Sequence, residues 1–233
     1  MYNILEYGAK GDGVTNDAKA IQSAIDACSQ AGGGVVLFPG GHVYNSGYVI
    51  LKSNVEVHLE MGAVWKASDH LEDYYPLRNN GHITAHESGL PSYLNSEYAG
   101  KPFHAFIYAY QEENICISGR GTIDANEKIF YGDDSGYHIE GSYYPRIPLM
   151  LLEAVNHLTI TGVKLINCAF WTVHLVGCQD VLIDGIRLIN NLKMANSDGI
   201  DPDHCRNVRI SNCHIECGDD AIVLKNSGDY KKY

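Results

Sequence analysis

Residues 158–165 decide the fold, because the pattern of their sequence, Leu-Thr-Ile-Thr-Gly-Val-Lys-Leu, recurs twice further along the chain. Apolar residues occupy positions one, three, six and eight, and a glycine separates the two halves. Residues 181–188 and 208–215 repeat the arrangement at offsets of 23 and then 27 residues, with Asn212 in the glycine position. Alternating apolar residues predict a short strand with one buried face, and the central glycine or asparagine predicts a turn between two strands.

A period of roughly 25 residues is typical of stacked units that bury their apolar faces only against one another. Leucine-rich repeats share this period, but they need a leucine-dominated consensus with a helical half, and the chain shows neither. The coils of a parallel β-helix fit better, and each buried Val, Leu or Ile in them contributes roughly 1.5–3 kcal/mol. We therefore predict an all-β fold, a single-stranded right-handed parallel β-helix, as one domain over residues 1–233.

One amphipathic helix is predicted from Asn16 to Gln30. Its apolar residues fall on one face at helical spacing, and the glycines at 32–34 end it. The apolar residues of this face are Ala20, Ile21, Ala24, Ile25 and Cys28. Because the first coil of a solenoid exposes an apolar end, we expect the helix to cap it.

Composition excludes several classes of protein. The formal net charge is −11, from 17 basic and 28 acidic residues, and no basic run offers a nucleic-acid surface. No apolar run is long enough to span a membrane. A polyanionic substrate would be repelled by the bulk charge, so it could bind only in a locally positive cleft. The seven cysteines follow no zinc or disulfide spacing, which predicts free, buried thiols.

The compartment and the oligomeric state stay open. Residues 1–6 have neither the basic start nor the apolar stretch of a signal peptide. This is expected of a cytoplasmic protein, or of a secreted protein whose leader is absent from the sequence.

Two tyrosine-rich stretches interrupt the repeats, at residues 69–102 and 130–148. We interpret both as long loops that leave the solenoid and wall a cleft, since loops of this length are usually functional or disordered. Their tyrosines suit sugar binding, although packing within the loops explains them equally well.

Two acidic segments in consecutive coils carry the predicted chemistry. Aligning Ile200 with Ile222 places Asp198 and Asp220 one coil apart, about 4.8 Å from each other across neighbouring strands. Asp219 reaches the same side only if the backbone kinks, and the preceding Gly218 permits this.

Such a cluster is costly, because two like charges about 5 Å apart repel by roughly 3 kcal/mol at an effective dielectric of about 20. One carboxyl group should therefore keep its proton while the others ionise, which is the division that glycoside hydrolysis needs. Asp-Gly and Asp-Asp are also common turn sequences. We keep that interpretation for Asp184, Asp201 and Asp203, whereas stacking in register favours catalysis for Asp198, Asp219 and Asp220.

The sequence resembles glycoside hydrolase family 28, the polygalacturonases and their relatives. The residues that carry the resemblance are NSDGIDPD at 196–203, close to the family's N-T-D-G-[IF]-D, and GDDAIVLK at 218–225, close to its G-D-D-C-I-A-I-K. Residues 7–17 also resemble the N-terminal cap signature of this β-helix superfamily. The resemblance covers essentially the whole chain, with Ser197 in place of the usual threonine.

The resemblance implies inverting hydrolysis of α-1,4-galacturonosyl linkages in pectin. Asp219 would be the general acid, and Asp198 with Asp220 would position and deprotonate a water molecule. The family's later motifs, G-H-G and R-I-K, are expected beyond Lys225, so we expect the chain to be incomplete at its C-terminus and this polypeptide to be inactive if it lacks them. No cofactor and no metal site are predicted.

Four residues are candidates for substrate binding. Trp171 aligns with Asp198 in the preceding coil, and His174 aligns with Asp201, so both could face the cleft. Lys225 and His204 are the local positive candidates for a uronate carboxylate. The partner expected for them is a pectic polysaccharide or oligogalacturonide.

Two alternatives remain open at this point. A pectate-lyase-like enzyme would use its carboxylates to hold Ca²⁺, and a non-catalytic β-helix would bind carbohydrate without turnover. Within the hydrolase prediction, walls built by the tyrosine-rich stretches would close one end of the cleft and favour attack at the chain end.

Overall fold

The computed structural model describes residues 1–74, 105–134, 139–141 and 146–226, and these form a parallel β-helix. A complete coil contributes one strand to each of three parallel sheets, and within the described residues the first and second sheets have seven strands each and the third has five. The strands of the first sheet are Tyr2–Asn3, Gly34–Phe38, Val55–Leu59, Glu113–Gly119, Asn156–Thr161, Gln179–Asp184 and Arg206–Ser211. Those of the second sheet are Asp12–Asn16, Val43–Ser46, Val64–Ala67, Thr122–Asp124, Lys164–Ile166, Arg187–Ile189 and His214–Glu216. Those of the third sheet are Val49–Ile50, Ile107–Tyr110, Met150–Glu153, Val173–Val176 and Ile200–Asp203.

The register predicted from the repeats is confirmed. Leu158 pairs with Val181 and Val181 with Val208, so the offsets of 23 and 27 residues join equivalent strands of successive coils. The apolar residues at the four repeated positions of 158–165 and 181–188 are buried, and those of 208–215 are partly buried against the same core. Parallel stacking in register therefore builds one continuous core along the axis of the solenoid.

The turn between the first two sheets uses the left-handed backbone conformation, which explains its residue types. Gly162, Gly185 and Asn212 have φ values of 74°, 65° and 54°. Glycine adopts this region without a steric penalty, and asparagine tolerates it better than most residues. The predicted turn residues are thus confirmed with a physical reason.

The helix runs from Ala18 to Gln30 and buries the predicted apolar face against the first coils. It begins two residues later than predicted, because Asn16 ends the strand Asp12–Asn16 and accepts a hydrogen bond from the amide of Ala18. The carboxylate of Asp17 accepts from the amides of Lys10 and Gly11 and so ties the helix start to the preceding loop.

Other elements are short. In the part of the chain that the structure describes, 3₁₀ helices cover Ile4–Tyr7, Leu71–Tyr74 and Glu127–Phe130, and strands Tyr131–Asp134 and Ile139–Gly141 form an antiparallel hairpin. Most of the two predicted cleft-wall stretches, including residues 75–102, lies outside the described residues. Among the described residues, every cysteine is free, and no helix has the length and apolarity to cross a membrane.

The third sheet positions the site. Its strands Met150–Glu153, Val173–Val176 and Ile200–Asp203 are buried at every residue, unlike the alternating strands of the first sheet. Charged side chains on this sheet are therefore enclosed rather than solvated, and burial of a charge is costly unless it is paired.

Candidate active site

The two acidic segments lie side by side, as the alignment of Ile200 with Ile222 predicted. These two isoleucines form a parallel bridge, and Asp203 forms another with Lys225. The amide of Gly199 donates to the carbonyl of Asp220 at 2.9 Å, which holds the two coils together at the acidic residues. A Cβ on Gly199 would lie 2.3 Å from the carbonyl oxygen of Ala221, so a side chain there would force the coils apart.

Asp198, Asp219 and Asp220 form a compact cluster. One carboxylate oxygen from each lies within 4.8 Å of those of the other two. Asp198 is 3% exposed, whereas Asp219 and Asp220 are exposed. The cluster therefore has a buried side, formed by Asp198, and an open face, formed by Asp219 and Asp220. The arrangement can hold a small polar molecule between one enclosed and two solvated carboxyl groups.

Ser197 links the two acidic motifs. Its hydroxyl donates to the carbonyl of Met194 at 2.8 Å and accepts from the amide of Gly218 at 2.9 Å. Because Gly218 immediately precedes Asp219, this pair of bonds fixes the position of Asp219 relative to Asp198. The hydroxyl is the part of the side chain that serine and threonine share, so the departure from the family motif keeps the contact.

A second set of hydrogen bonds, made by the side chains of Thr172 and Asn190, fixes the backbone of Asp198. The Thr172 hydroxyl donates to the carbonyl of Asp198 at 2.7 Å, and the Asn190 amide donates to the Thr172 hydroxyl at 2.7 Å and to the carbonyl of Ser197 at 3.2 Å. All of these groups are buried. Such networks rigidify a site when each of their members is satisfied.

Arg146 is a site residue that the sequence did not indicate. Its guanidinium donates to the carbonyl oxygens of Ala169 and Ala195 and to the Asn196 side-chain oxygen, the last at 2.7 Å. The guanidinium also lies over the Phe170 ring at 5.0 Å. Arg146 thereby joins two successive coils immediately before Asp198. It lies within the second tyrosine-rich stretch and outside the repeat, so no periodic signal could reveal it.

Lys225 joins the acidic cluster to a deeper carboxylate. Its Nζ lies 3.2 Å from Asp198 Oδ2 and 3.2 Å from Asp201 Oδ1, and its side chain is 15% exposed. Burial raises the pKa of Asp201 to about 9, and the neighbouring Asp198 charge adds to the effect. Burial also raises the pKa of Asp198, which Lys225 opposes. The group with the strongly raised pKa is thus Asp201, which lies outside the cluster of three in which the sequence predicted a proton-retaining carboxyl group.

Trp171 and His174 lie beneath Lys225. The Lys225 ammonium sits 3.9 Å from the centre of the Trp171 ring, and the His174 ring meets Trp171 edge-on at 4.7 Å. Trp171 is 5% exposed and His174 is buried, and burial lowers the pKa of the His174 imidazole. The predicted alignment of His174 with Asp201 is confirmed.

The turn interpretation of Asp201 and Asp203 is wrong. Both belong to the strand Ile200–Asp203 and are buried in the third sheet. Asp203 Oδ1 lies 2.5 Å from Nδ1 of His204, whose side chain is almost enclosed, and Asp203 Oδ2 lies 3.7 Å from Nε2 of His174. Asp184 does fit its predicted role, since its carboxylate accepts from Ser211 and Asn212 at a turn.

The chain matches the family model "Glycosyl hydrolases family 28" over residues 52–231. This match covers most of the chain, which therefore belongs to family 28 of the glycosyl hydrolases. Residues 1–62 also match the model "Rhamnogalacturonase A/epimerase, pectate lyase-like", in agreement with the predicted cap signature.

Three relatives illustrate the similarity. A probable polygalacturonase from Vitis vinifera is 29% identical over 97% of this chain and 44% of its own length. An exo-poly-alpha-D-galacturonosidase from Dickeya chrysanthemi is 25% identical over 95% of this chain and 41% of its own length. The crystal structure of a hyperthermoactive exopolygalacturonase from Thermotoga maritima superposes with a TM-score of 0.78 at 26% identity, covering 97% of this chain and 54% of the other.

These likenesses confirm the right-handed parallel β-helix with its N-terminal helix. The chain spans less than half the length of the two sequence relatives and about half of the Thermotoga maritima structure.

Proposed function

We propose that the protein hydrolyses α-1,4-galacturonosyl linkages of a pectic polysaccharide, with Asp219 as general acid and with Asp198 and Asp220 as the pair that activates water. The single observation that carries this proposal is the cluster of three carboxyl groups within 4.8 Å of one another. Membership of family 28 supports the reaction class, and the names of the relatives support galacturonans as substrates.

The spacing suits a water molecule held by two carboxylates. Two hydrogen bonds of about 2.8 Å that meet at one water molecule place their acceptor oxygens about 4.5 Å apart. Oxygens of Asp198 and Asp220 lie within 4.8 Å of each other, which is compatible with that separation. One of them would accept the proton as the water attacks the anomeric carbon, while Asp219 would protonate the leaving glycosidic oxygen.

Lys225 supports the assignment of Asp198 as a base, because a cation at 3.2 Å favours the ionised form. Of the four substrate-binding candidates, Lys225 has the most exposed side chain. Trp171 and His174 are enclosed beneath it. The ring of His204 lies against Asp203. We therefore propose that Trp171, His174 and His204 support the substrate-facing groups from behind, and that Lys225 is the residue among the four that can meet a uronate.

The deciding experiment measures new reducing ends released from polygalacturonate by the intact protein. Asp219→Asn should lower kcat by about 10²–10⁴, as is usual for loss of a general acid. Asp184→Asn is the matched control, because it makes the same chemical change at a turn on the first sheet, outside the acidic cluster. Equal activity of Asp219→Asn and the wild type would refute the proposal.

The same assay separates the lyase and binding alternatives. Hydrolysis should continue in the presence of a chelator and should give no unsaturated product. A lyase would give the opposite result on both counts, and a binding protein would release no reducing ends from any variant.

We further propose attack at the chain end, which the printed names of the Dickeya chrysanthemi and Thermotoga maritima relatives support. Reducing ends should then appear while the viscosity of polygalacturonate falls slowly. An early collapse of viscosity would indicate cleavage within the chain.

A further inference from the structure

The charges beneath the acidic cluster do not balance if every carboxyl group is ionised. Asp198 and Asp201 are both buried, and among the described residues the cation that forms an ion pair with either of them is Lys225. Two carboxylates and one ammonium leave one net negative charge in an enclosed site. Enclosing an uncompensated charge is strongly unfavourable, and proteins usually avoid it by protonation.

The neighbouring histidine does not supply the missing positive charge. His174 is the register partner of Asp201 on the adjacent strand, but its ring nitrogen Nε2 faces Asp203 at 3.7 Å. Burial and the nearby Lys225 ammonium both favour its neutral form. The Cys217 thiol, whose pKa the Asp201 charge helps to raise, carries no positive charge in either form.

The surroundings of Asp201 suit a protonated carboxyl group, which can donate a hydrogen bond, better than an ionised one, which can only accept. Within the described part of the chain, the cation that meets its side chain is the Lys225 ammonium, 3.2 Å from Oδ1, and no donor makes a hydrogen bond to Oδ2. An ionised buried carboxylate would leave most of its acceptor sites empty there. Asp198 accepts a hydrogen bond from Lys225 through Oδ2 and lies next to the open face of the cluster, while its buried Oδ1 has no donor among the described residues.

We infer that Asp201 is a neutral carboxylic acid that donates its proton in a hydrogen bond to Asp198, while Lys225 binds both groups. Asp201 is then a positioning residue, which keeps Asp198 ionised and fixes the direction of its free oxygen. The inference deepens the proposed function, and its role in catalysis rests on that function. The protonation itself is a property of the folded protein whether or not the enzyme acts on pectin.

Infrared difference spectra of the intact protein at neutral pH test the protonation directly. The wild type minus Asp201→Asn should show the carbonyl band of one protonated carboxylic acid. The wild type minus Asp184→Asn should show no such band, because Asp184 is a hydrogen-bonded surface carboxylate whose pKa is lowered by Ser211 and Asn212. Absence of the acid band from the first spectrum would overturn the inference.

Activity gives the second readout. The amide of Asp201→Asn is neutral and can donate to Asp198 as the acid does, whereas Asp201→Ala cannot. We expect kcat to fall by about 10² or more in Asp201→Ala, comparable with loss of a catalytic base, and by much less in Asp201→Asn. Equal losses in the two variants would indicate that the negative charge of Asp201 is required, and would overturn the inference.

The two readouts separate failure of this inference from failure of the proposed function. A wild-type protein that shows the acid band but releases no reducing ends would retain the inference and remove the hydrolase. A wild-type protein that releases reducing ends but shows no acid band would retain the hydrolase and overturn the inference. If Asp201→Ala does not fold, the spectra of Asp201→Asn still decide the question.

Discussion

The ammonium of Lys225 lies 3.9 Å from the centre of the Trp171 ring, while the same nitrogen contacts two carboxyl groups. A lysine enclosed by an aromatic face and two acids is fixed in place by attraction from both sides. Lys225 therefore organises the interior of the site, in addition to any contact with substrate.

Lys225→Met should remove this organisation without changing the length of the side chain greatly. It leaves Asp198 and Asp201 with no cationic partner, and breaking a buried ion pair in this way typically costs about 3–5 kcal/mol. The expected result is a loss of that size in the free energy of unfolding by denaturant, together with a fall in kcat. Lys164→Met, on the outer face of the second sheet, is the control and should change neither quantity substantially.

Arg146→Lys should weaken the junction between the two coils. A lysine cannot reproduce the forked contacts with Ala169, Ala195 and Asn196, since these depend on the planar guanidinium. We expect about 1–3 kcal/mol of lost stability from the unsatisfied carbonyls, and a lower kcat from the displaced Asp198. The exposed Arg187→Lys makes the same change without these contacts. If the two variants behaved alike, Arg146 would have no special role.

Ser197 offers a graded pair of substitutions. Ser197→Ala leaves the amide of Gly218 without its acceptor and should cost about 1–3 kcal/mol of stability. Ser197→Thr keeps the hydroxyl and should retain kcat better than Ser197→Ala does. Thermal unfolding and initial rates measured on the three proteins would show the order, and a threonine variant as impaired as the alanine variant would contradict it.

The raised pKa of Asp201 predicts a specific dependence of stability on pH. The folded form binds this proton up to about pH 9, whereas the unfolded chain releases it near its ordinary value of 3.8. Between these limits the folded state binds more protons, so this group lowers the stability as the pH rises. Asp201→Asn should remove that decline, by at most about 1.4 kcal/mol per pH unit. Parallel unfolding curves for the two proteins across this window would contradict the prediction.

The stereochemistry of cleavage is a further prediction. Inversion requires that water attacks the anomeric carbon directly, and many inverting enzymes separate acid and base by roughly 6.5–9.5 Å. Here the three oxygens lie within 4.8 Å, so the water would be held by Asp198 and Asp220 rather than lie between distant groups. Proton NMR of the first-formed product should show the β anomer. An initial α anomer would instead indicate a covalent intermediate on one of the aspartates.

The sequence predicted the fold through a local regularity. Alternation of apolar residues in 158–165 reports directly which side chains face the core, and the recurrence of that pattern reports which strands are neighbours. The position of Asp198 beside Asp220 followed from a separate alignment, that of Ile200 with Ile222. The third sheet gave no such signal, because its strand Ile200–Asp203 is buried on both faces and does not alternate.

Residues outside the regularity could not be placed in advance. Asp201 and Asp203 are of a residue type that is common in turns. Only the burial of their strand in the structure shows that their carboxyl groups lie in the interior. Arg146 contacts carbonyl groups of other coils, and carbonyl groups are present at every position, so its partners are invisible in a single sequence. Contacts of this kind depend on tertiary geometry rather than on local pattern.

The parallel bridge between Ile200 and Ile222 has a consequence for how such a molecule can vary. The distance between its acidic groups is an interstrand spacing, and it does not depend on how many residues the intervening turns contain. Coils of 23 and 27 residues already coexist in this chain. Insertions in the turns can therefore change the rim of the solenoid while the spacing of Asp198 and Asp220 stays the same.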